Sequence, residues 1–395
     1  MRIGYVTTWR APCGIATYSE QLVDALVGAG HEVFVLAPQD AQTGMRPASP
    51  KLADLQATVC WSISGGGNID TIPSVARHHK LDVIHFQHEH GLFRHNTSFI
   101  NTLRATRKAC KVVVTLHTMR HYGGLESSWY DALRGATDAL VVHGLKAKAT
   151  LTVARVDGPC VIRHIMHGTP APRTVGDSEL GAEYLSLTSA QRGRHWCVVL
   201  GFLGADKNVL GTVRTFAEMR ARRLADNLGL ILVGEAKDPH FGQSVLPSLI
   251  DATGCGPRIV YREGFVPVDK LADIFALASF GMLNTQSTTL SASGQVHNYA
   301  AHGVPLIVAN RPIYEDAIFA GAPAFDVNIE NPESPTLSAI TTLAAMLLDP
   351  ALRRHSKQGL LSLARATAWP RTAERHVALY TKLLAGSGAT EDDDG

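Results

Sequence analysis

The first 38 residues constrain the fold more than any other stretch of the chain. RIGYVTTW reads as a short apolar strand, CGIAT as a turn of small residues, TYSEQLVDALVGAG as a helix and HEVFVLAP as the next strand. Within the helix, Ile15, Tyr18, Leu22, Ala25 and Leu26 recur at spacings of three and four, which places them on one face. Gly28 and Gly30 end it. Strand, glycine turn, helix and strand make a right-handed βαβ unit, and that unit commits the chain to a parallel sheet.

The same grammar continues through LDVIHFQ, CKVVVTLH, DALVVHG and CVIRHIMHG, each almost wholly apolar. Such strands belong to a parallel sheet covered on both faces. The pattern lapses over 175–193, GDSELGAEYLSLTSAQRGR, which reads as a linker. A second series follows: WCVVLGF, the helix NVLGTVRTFAEMRARRL, LGLILVG, RIVYREGF, the helix VDKLADIFALA, FGMLNT, the short helix of SASGQVHNYAAHG, and PLIVA. The expectation is an α/β protein with two doubly wound, Rossmann-like parallel-sheet domains facing a central cleft. They would span 1–185 and 194–368, followed by a helix over 369–386 and a disordered acidic tail over 387–395. A length of 395 residues accommodates two domains of ordinary size.

Charge and cysteine usage exclude several classes. Lys and Arg total 37 against 35 Asp and Glu, a net charge of +2, so wholesale nucleic-acid binding is not expected. No apolar stretch approaches the roughly 20 residues that span a bilayer. MRIGYVTTW begins a strand and is not a signal peptide. The six cysteines are scattered without a CxxC pair, which suits reduced thiols, and a cytoplasmic location is expected.

Ligands of open α/β sheets sit beyond the carboxyl ends of strands, so the residues there are the candidates. Gly14 lies between the first strand and its helix, where a glycine lets a phosphate or sugar approach the backbone. Tight turns also use glycine for geometry alone. His117 ends VVVTLH and could bond a sugar hydroxyl or a leaving group; the plain alternative is a polar strand terminus. Lys207 follows the first strand of the second series and could neutralise a phosphate, or be a solvated loop lysine. Ser293 and Gly294 open a helix whose uncovered N–H groups attract anions. If the two domains stack, Gly14, Lys207 and the Ser293–Gly294 helix start converge on one gap, and a diphosphate is the natural occupant.

HFQHEHGLF holds His85, His88, Glu89 and His90 and raises the question of a metal. A metal site needs three or four converging ligands, and no matching second cluster accompanies this one. Glu89 and His90 are therefore read as polar groups on the acceptor side of the cleft, with no metal expected. RKACK at 107–111, with Arg94 and Arg104, could touch an anionic membrane or an acidic acceptor, or be a solvated helix face.

These pieces together resemble the retaining glycosyltransferases of family 4, with the GT-B fold, over most of the chain. The resemblance is carried by CGIATYSEQLVDAL, HFQHEHGLF, VVVTLHT, DALVVHG, IMHGTP, GFLGADKN, LILVGE, GFVPVDKLADIFALAS, SGQVHNYAAHGVPLIV and YEDAI, in the family's order. It implies transfer of a sugar from a nucleoside-diphosphate sugar to an acceptor with retained configuration and no required cofactor. The acceptor would be held mainly by the first domain and the donor by the second. By this resemblance Gly14 approaches the donor diphosphate and His117 lies beside the reacting sugar. Lys207, Ser293 and Gly294 hold the diphosphate, and Arg262, Gly264, Phe265 and Val266 neighbour the base. The helix WPRTAERHVALYTKLL would return to brace the first domain.

The sequence also departs from the family pattern. Two glutamates eight positions apart are usual around the donor helix; Leu290 and Asn298 stand there instead, and Phe202 replaces a common arginine. Asn298 can still bond a ribose hydroxyl, and Glu315 matches the acid after the next strand. A subgroup with an SG-type donor loop in place of the paired glutamates is similar. The alternatives are a catalytically impaired GT-B pseudo-enzyme, or another GT-B activity such as a nucleotide-sugar epimerase or a phosphorylase.

Overall fold

The computed structural model describes residues 1–11, 13–39, 50–63, 69–93, 97–119, 125–153, 160–171, 176–224, 226–236, 238–267, 270–289 and 291–386. The chain divides into two units. The first comprises Met1–Gly168, Thr289–Gly294 and the segment from Thr367; the second comprises Thr169–Thr288 and Gln295–Ala366.

The first unit begins β1 (Arg2–Val6), α1 (Gly14–Gly28), β2 (Glu32–Pro38) and β3 (Thr58–Trp61). It continues through α2 (Ile72–His78), β4 (Val83–His88), α3 (Thr97–Arg107), β5 (Lys111–Leu116) and α4 (Leu125–Ala136). β6 (Ala139–Val142), α5 (Leu145–Val153) and β7 (Val161–His164) complete its continuous part. The seven strands form one parallel sheet in the order β3-β2-β1-β4-β5-β6-β7. The order reverses between β1 and β4, the switch point where such sheets take ligands.

Strand alternation sends the two side-chain sets to different helices. Ile84, Phe86, Val112, Val114 and Leu140 pack with Phe99, Leu103, Tyr130 and Leu133 of α3 and α4. Val83, Val113, Ala139 and Val141 pack on the other face with Tyr18, Leu22 and Leu26 of α1. That second face is completed by Trp369, Ala373, Leu379, Tyr380 and Leu383. They come from the last helix of the chain, Trp369–Leu384, which lies in the first unit.

The second unit opens with α6 (Ser178–Tyr184) and α7 (Ser189–Arg192). Then come β8 (His195–Leu200), α8 (Val209–Ala221), β9 (Leu228–Gly234), α9 (Leu246–Ala252), β10 (Ile259–Glu263) and α10 (Leu271–Leu277). β11 (Ala278–Leu283), α11 (Gly294–Ala301), β12 (Leu306–Ala309), α12 (Glu315–Phe319) and β13 (Ala324–Phe325) follow. α13 (Leu337–Leu348) and α14 (Pro350–Ala366) end the unit; the returning helix Trp369–Leu384 is α15. Its six strands are parallel in the order β10-β9-β8-β11-β12-β13, with the switch point between β8 and β11.

The stretch 176–193 is not a linker. Asp177 caps α6 by accepting from Glu179 N–H, and Thr188 and Gln191 form a capping box on α7. Its glycines are packing positions: a Cβ on Gly181 would lie 2.3 Å from the Asp273 carbonyl oxygen of α10. Residues 169–171 and 176–185, expected in the first domain, fall in the second unit. The acidic tail 387–395 lies outside the described residues, as do Arg94 and Leu290.

Candidate functional site

In the first unit the candidates gather at the carboxyl edge of the sheet. β1 runs out into a turn, and Gly14 opens α1 there, exposed. The Cys13 thiol caps this helix by accepting from Ala16 N–H at 3.4 Å. A Cβ on Gly14 would meet nothing within 4 Å, and no left-handed backbone torsion demands a glycine. The turn's geometry alone thus gives no reason for glycine, whereas close approach of a ligand to the helix start does.

His117 follows β5, its N–H bonded to the His88 carbonyl at 3.0 Å. Its Nε2 lies 2.9 Å from Gln87 Oε1, so the ring donates from Nε2. Tyr18, from the second turn of α1, sets its ring edge-on against His117 at 4.9 Å and against His167 at 5.1 Å. His143 lies 5.2 Å from Tyr18 and 5.2 Å from His117. His117 is half-buried. Burial first, then His143 and His88, push its pKa well below the usual imidazole value and keep the ring neutral.

The loop Thr289–Gly294 belongs to this unit and is stitched to the same edge. Ser291 N–H donates to the His117 carbonyl at 3.1 Å, and its hydroxyl is shared between the Leu116 and His117 carbonyls, 3.0 Å each. Met119 N–H donates to the Thr289 carbonyl at 2.7 Å. Gly294 lies beside His167, whose Nε2 is 3.5 Å from where a Cβ would stand. Ser293, half-buried, precedes it. The structure thus brings Ser293 and Gly294 to the same strand end as His117.

Glu89 and His90 serve their own loop. Glu89 Oε2 accepts from Gly91 N–H at 2.6 Å, and the His90 ring sits edge-on to His88. His88 packs among Phe93, Phe99 and Trp129, while His85 bonds Tyr380 and Thr115. Of the HFQHEH imidazoles, His88 and His90 thus lie against each other, while His85 is engaged separately. The basic stretch 107–111 is also engaged internally: Arg107 and Lys111 both reach Asp138 Oδ1, at 3.2 and 3.7 Å.

In the second unit, Lys207 ends a short 3-10 turn after β8. Asn208 turns left-handed (φ 47°) and caps α8 by accepting from Gly211 N–H. Lys207 Nζ lies 3.8 Å from Asp206 Oδ2, and the Asp206 carbonyl accepts from Gln286 N–H of the loop after β11. The lysine therefore stands at the switch point of the second sheet. Gly234 shapes this edge: with φ +152°, a Cβ there would lie 1.6 Å from the Gly201 carbonyl oxygen.

The remaining candidates are spread along the second sheet's carboxyl side. The Arg262 guanidinium stacks over the Tyr184 ring at 4.2 Å, which occupies its charge with an aromatic face. Gly264 is left-handed (φ +123°) and donates to the Gly234 carbonyl. Phe265 is 54% exposed and Val266 is buried, so of that pair only the phenylalanine ring offers itself to a ligand. Asn298 donates to Gln295 Oε1 at 3.4 Å along its own helix. Glu315 opens α12 half-buried; its neighbour Asp316 is the carboxylate near His297, at 3.6 Å.

Sequence reasoning missed Gln87, Tyr18, His143, His167 and Ser291. Two had a signal: Gln87 lies two residues beyond His85 on the same strand face, and Tyr18 lies one helical turn after Gly14.

Residues 13–175 match the glycosyl transferase 4-like domain family. Among curated proteins no sequence matches the chain. Among solved structures, a glycosyltransferase from Rickettsia africae superposes with a TM-score of 0.74 at 14% identity, covering 98% of this chain and 99% of its own. HepE from Anabaena, in complex with UDP and glucose, gives 0.72 at 12% identity, covering 97% of this chain and 100% of its own. Sucrose-phosphate synthase from Thermosynechococcus elongatus gives 0.70 at 15% identity, covering 98% and 100%. The chain has the GT-B fold, with two parallel-sheet Rossmann-like units. No helix among the described residues is long and apolar enough to cross a membrane.

Proposed function

We propose that the protein is a retaining glycosyltransferase that moves a sugar from a nucleoside-diphosphate sugar to an acceptor, without a metal or other cofactor. The observation that carries this reading is the 4-like domain match over residues 13–175, which includes Gly14 and His117, within a chain that has the GT-B fold throughout. Gly14, Lys207, Ser293 and Gly294 bind the donor diphosphate. Phe265 lies against the base, with Arg262, Gly264 and Val266 forming its surroundings, and Asn298 and Glu315 serve the donor's ribose and sugar. Glu89 and His90 lie on the acceptor side. The leaving diphosphate itself helps take the acceptor proton, so the protein's work is electrostatic stabilisation of that group. HepE, crystallised with UDP and glucose, supports a uridine nucleotide as the first donor to try.

Incubation with a panel of nucleoside-diphosphate sugars should release the nucleoside diphosphate, slowly alone and faster with an acceptor. A donor that raises the melting temperature without ever being turned over would instead identify a binding protein. No melting shift with any nucleotide would overturn both.

His117→Ala is expected to lower turnover about tenfold or more while changing donor affinity little, since a hydrogen bond to the reacting sugar is worth most in the transition state. The reverse pattern would make His117 a donor-binding residue. Gly14→Leu should fold with a nearly unchanged melting temperature, because Gly14 is exposed and a Cβ there meets nothing within 4 Å. It should nonetheless weaken donor binding about tenfold by covering the helix start. Unchanged donor affinity would remove Gly14 from the site.

A further inference from the structure

Gln87 and His117 stand side by side at the carboxyl edge of the first sheet. Register pairs Gln87 with Thr115 and His88 with Leu116, and His117 continues from there. Gln87 is wholly buried, and its Oε1 lies 2.9 Å from His117 Nε2. A carboxamide oxygen only accepts, so the ring proton sits on Nε2 and the neutral ring keeps its lone pair on Nδ1. One rung back along the strands, His85 Nε2 meets the Thr115 hydroxyl at 2.7 Å and His85 Nδ1 the Tyr380 hydroxyl at 2.6 Å. The two rungs make a polar ladder on the sheet face that also carries Val83, Val113 and Val141.

We infer that Gln87 is a positioning residue for the transfer reaction, holding His117 as the neutral Nε2–H tautomer so that Nδ1 accepts a hydrogen bond from a hydroxyl of the reacting sugar. The inference rests on the proposed place of His117 beside that sugar. A neutral amide fits the task better than a carboxylate would. A carboxylate against Nε2–H would hold a second proton on the ring, turning Nδ1 from an acceptor into a donor. The other groups facing His117 work in the same direction. Tyr18 from α1 offers a ring edge, His143 stands at the end of β6, and His88 lies on the adjoining strand; both imidazoles disfavour a charge on His117.

The test begins on the full-length protein without substrate, by nitrogen NMR of ¹⁵N-histidine-labelled samples, with His117 assigned by its loss in His117→Gln. The wild-type ring should show Nε2 protonated and Nδ1 bare at about neutral pH. Gln87→Leu should give a mixture of tautomers, and Gln87→Glu an imidazolium. In turnover assays Gln87→Leu should lower kcat about tenfold with donor KM nearly unchanged, the loss of one oriented hydrogen bond. Gln87→Glu should move the acid limb of the kcat–pH profile upward by about one unit or more, which a packing defect alone would not do. Should Gln87→Leu fail to fold, the near-isosteric Gln87→Glu carries the test alone. A wild-type ring protonated on Nδ1, or a tautomer unchanged in both variants, overturns the inference and leaves His117's proposed role standing. A changed tautomer with unchanged kcat and pH profile overturns the positioning role together with the place of His117 beside the sugar.

Discussion

Acidification from about pH 6.5 to about pH 4.5 is expected to cost the first unit about 2 kcal/mol of stability through His376 alone. The cause lies in the apolar face closed by α15. His376 is wholly buried there, its Nε2 3.5 Å from the Tyr18 hydroxyl, and burial first, then His143, lowers its pKa from 6.5 to about 3. Above the unfolded-state value both folded and unfolded chains carry a neutral ring, and the residue contributes no pH dependence. Below it the unfolded chain takes up a proton that the folded chain refuses. Stability then falls by about 1.4 kcal/mol per pH unit, and the fall ends near the folded-state pKa.

His85, wholly buried, and His117 are shifted in the same direction, so they steepen the slope. The window stops at about pH 4.5 because carboxylates begin to titrate below it. Urea midpoints for the first unit's transition at several pH values measure the effect. His376→Gln should flatten the slope even where it lowers stability at neutral pH. A midpoint independent of pH across the window would show that His376 is charged, or solvated, in the folded protein.

Lys207→Ala is expected to weaken donor binding by about 1.5–3 kcal/mol, roughly ten- to a hundredfold in Kd. The lysine stands at the second sheet's switch point, with its ammonium 3.8 Å from Asp206 Oδ2 and its side chain 30% exposed. A half-exposed pair of that kind holds the lysine loosely and adds little to stability. A diphosphate is a stronger partner than one carboxylate, so the ammonium can turn to it at small cost. Calorimetry with the donor found in the panel measures the loss, and Lys207→Arg should recover part of it because the charge is kept. Donor affinity unchanged in Lys207→Ala would take Lys207 out of the site.

The sheets were legible because their strands are apolar on both faces. Nearly every core segment marked from sequence, from RIGYV to LIVA, is a strand of a parallel sheet. The elements that sequence missed are those whose reason to exist is elsewhere in the chain. β3 (Thr58–Trp61) is an edge strand, its first two residues exposed, and has no continuous apolar run. α6 shows little periodicity of its own and exists because Gly176 and Gly181 let it approach α10. In the site, single residues after strand ends could be marked by position alone. What binds them together could not. The tautomer-setting Gln87 reads as one more polar residue in a histidine-rich run, and the Tyr18 ring gathers three imidazoles that lie 99 to 149 positions away in the sequence (117 − 18, 167 − 18).

The path of the chain through the first unit has a consequence for how the protein is made. Residues 1–168 leave the ribosome first, yet α15, which covers Val83, Val113 and Val141, is translated some two hundred residues later (369 − 168 = 201). Through that interval α1 alone covers that face of the nascent sheet, while the second unit, whose segments end at Ala366, can already close. The first unit is thus begun before the second and finished after it, and a ribosome stalled before residue 369 exposes a surface for chaperones or for aggregation.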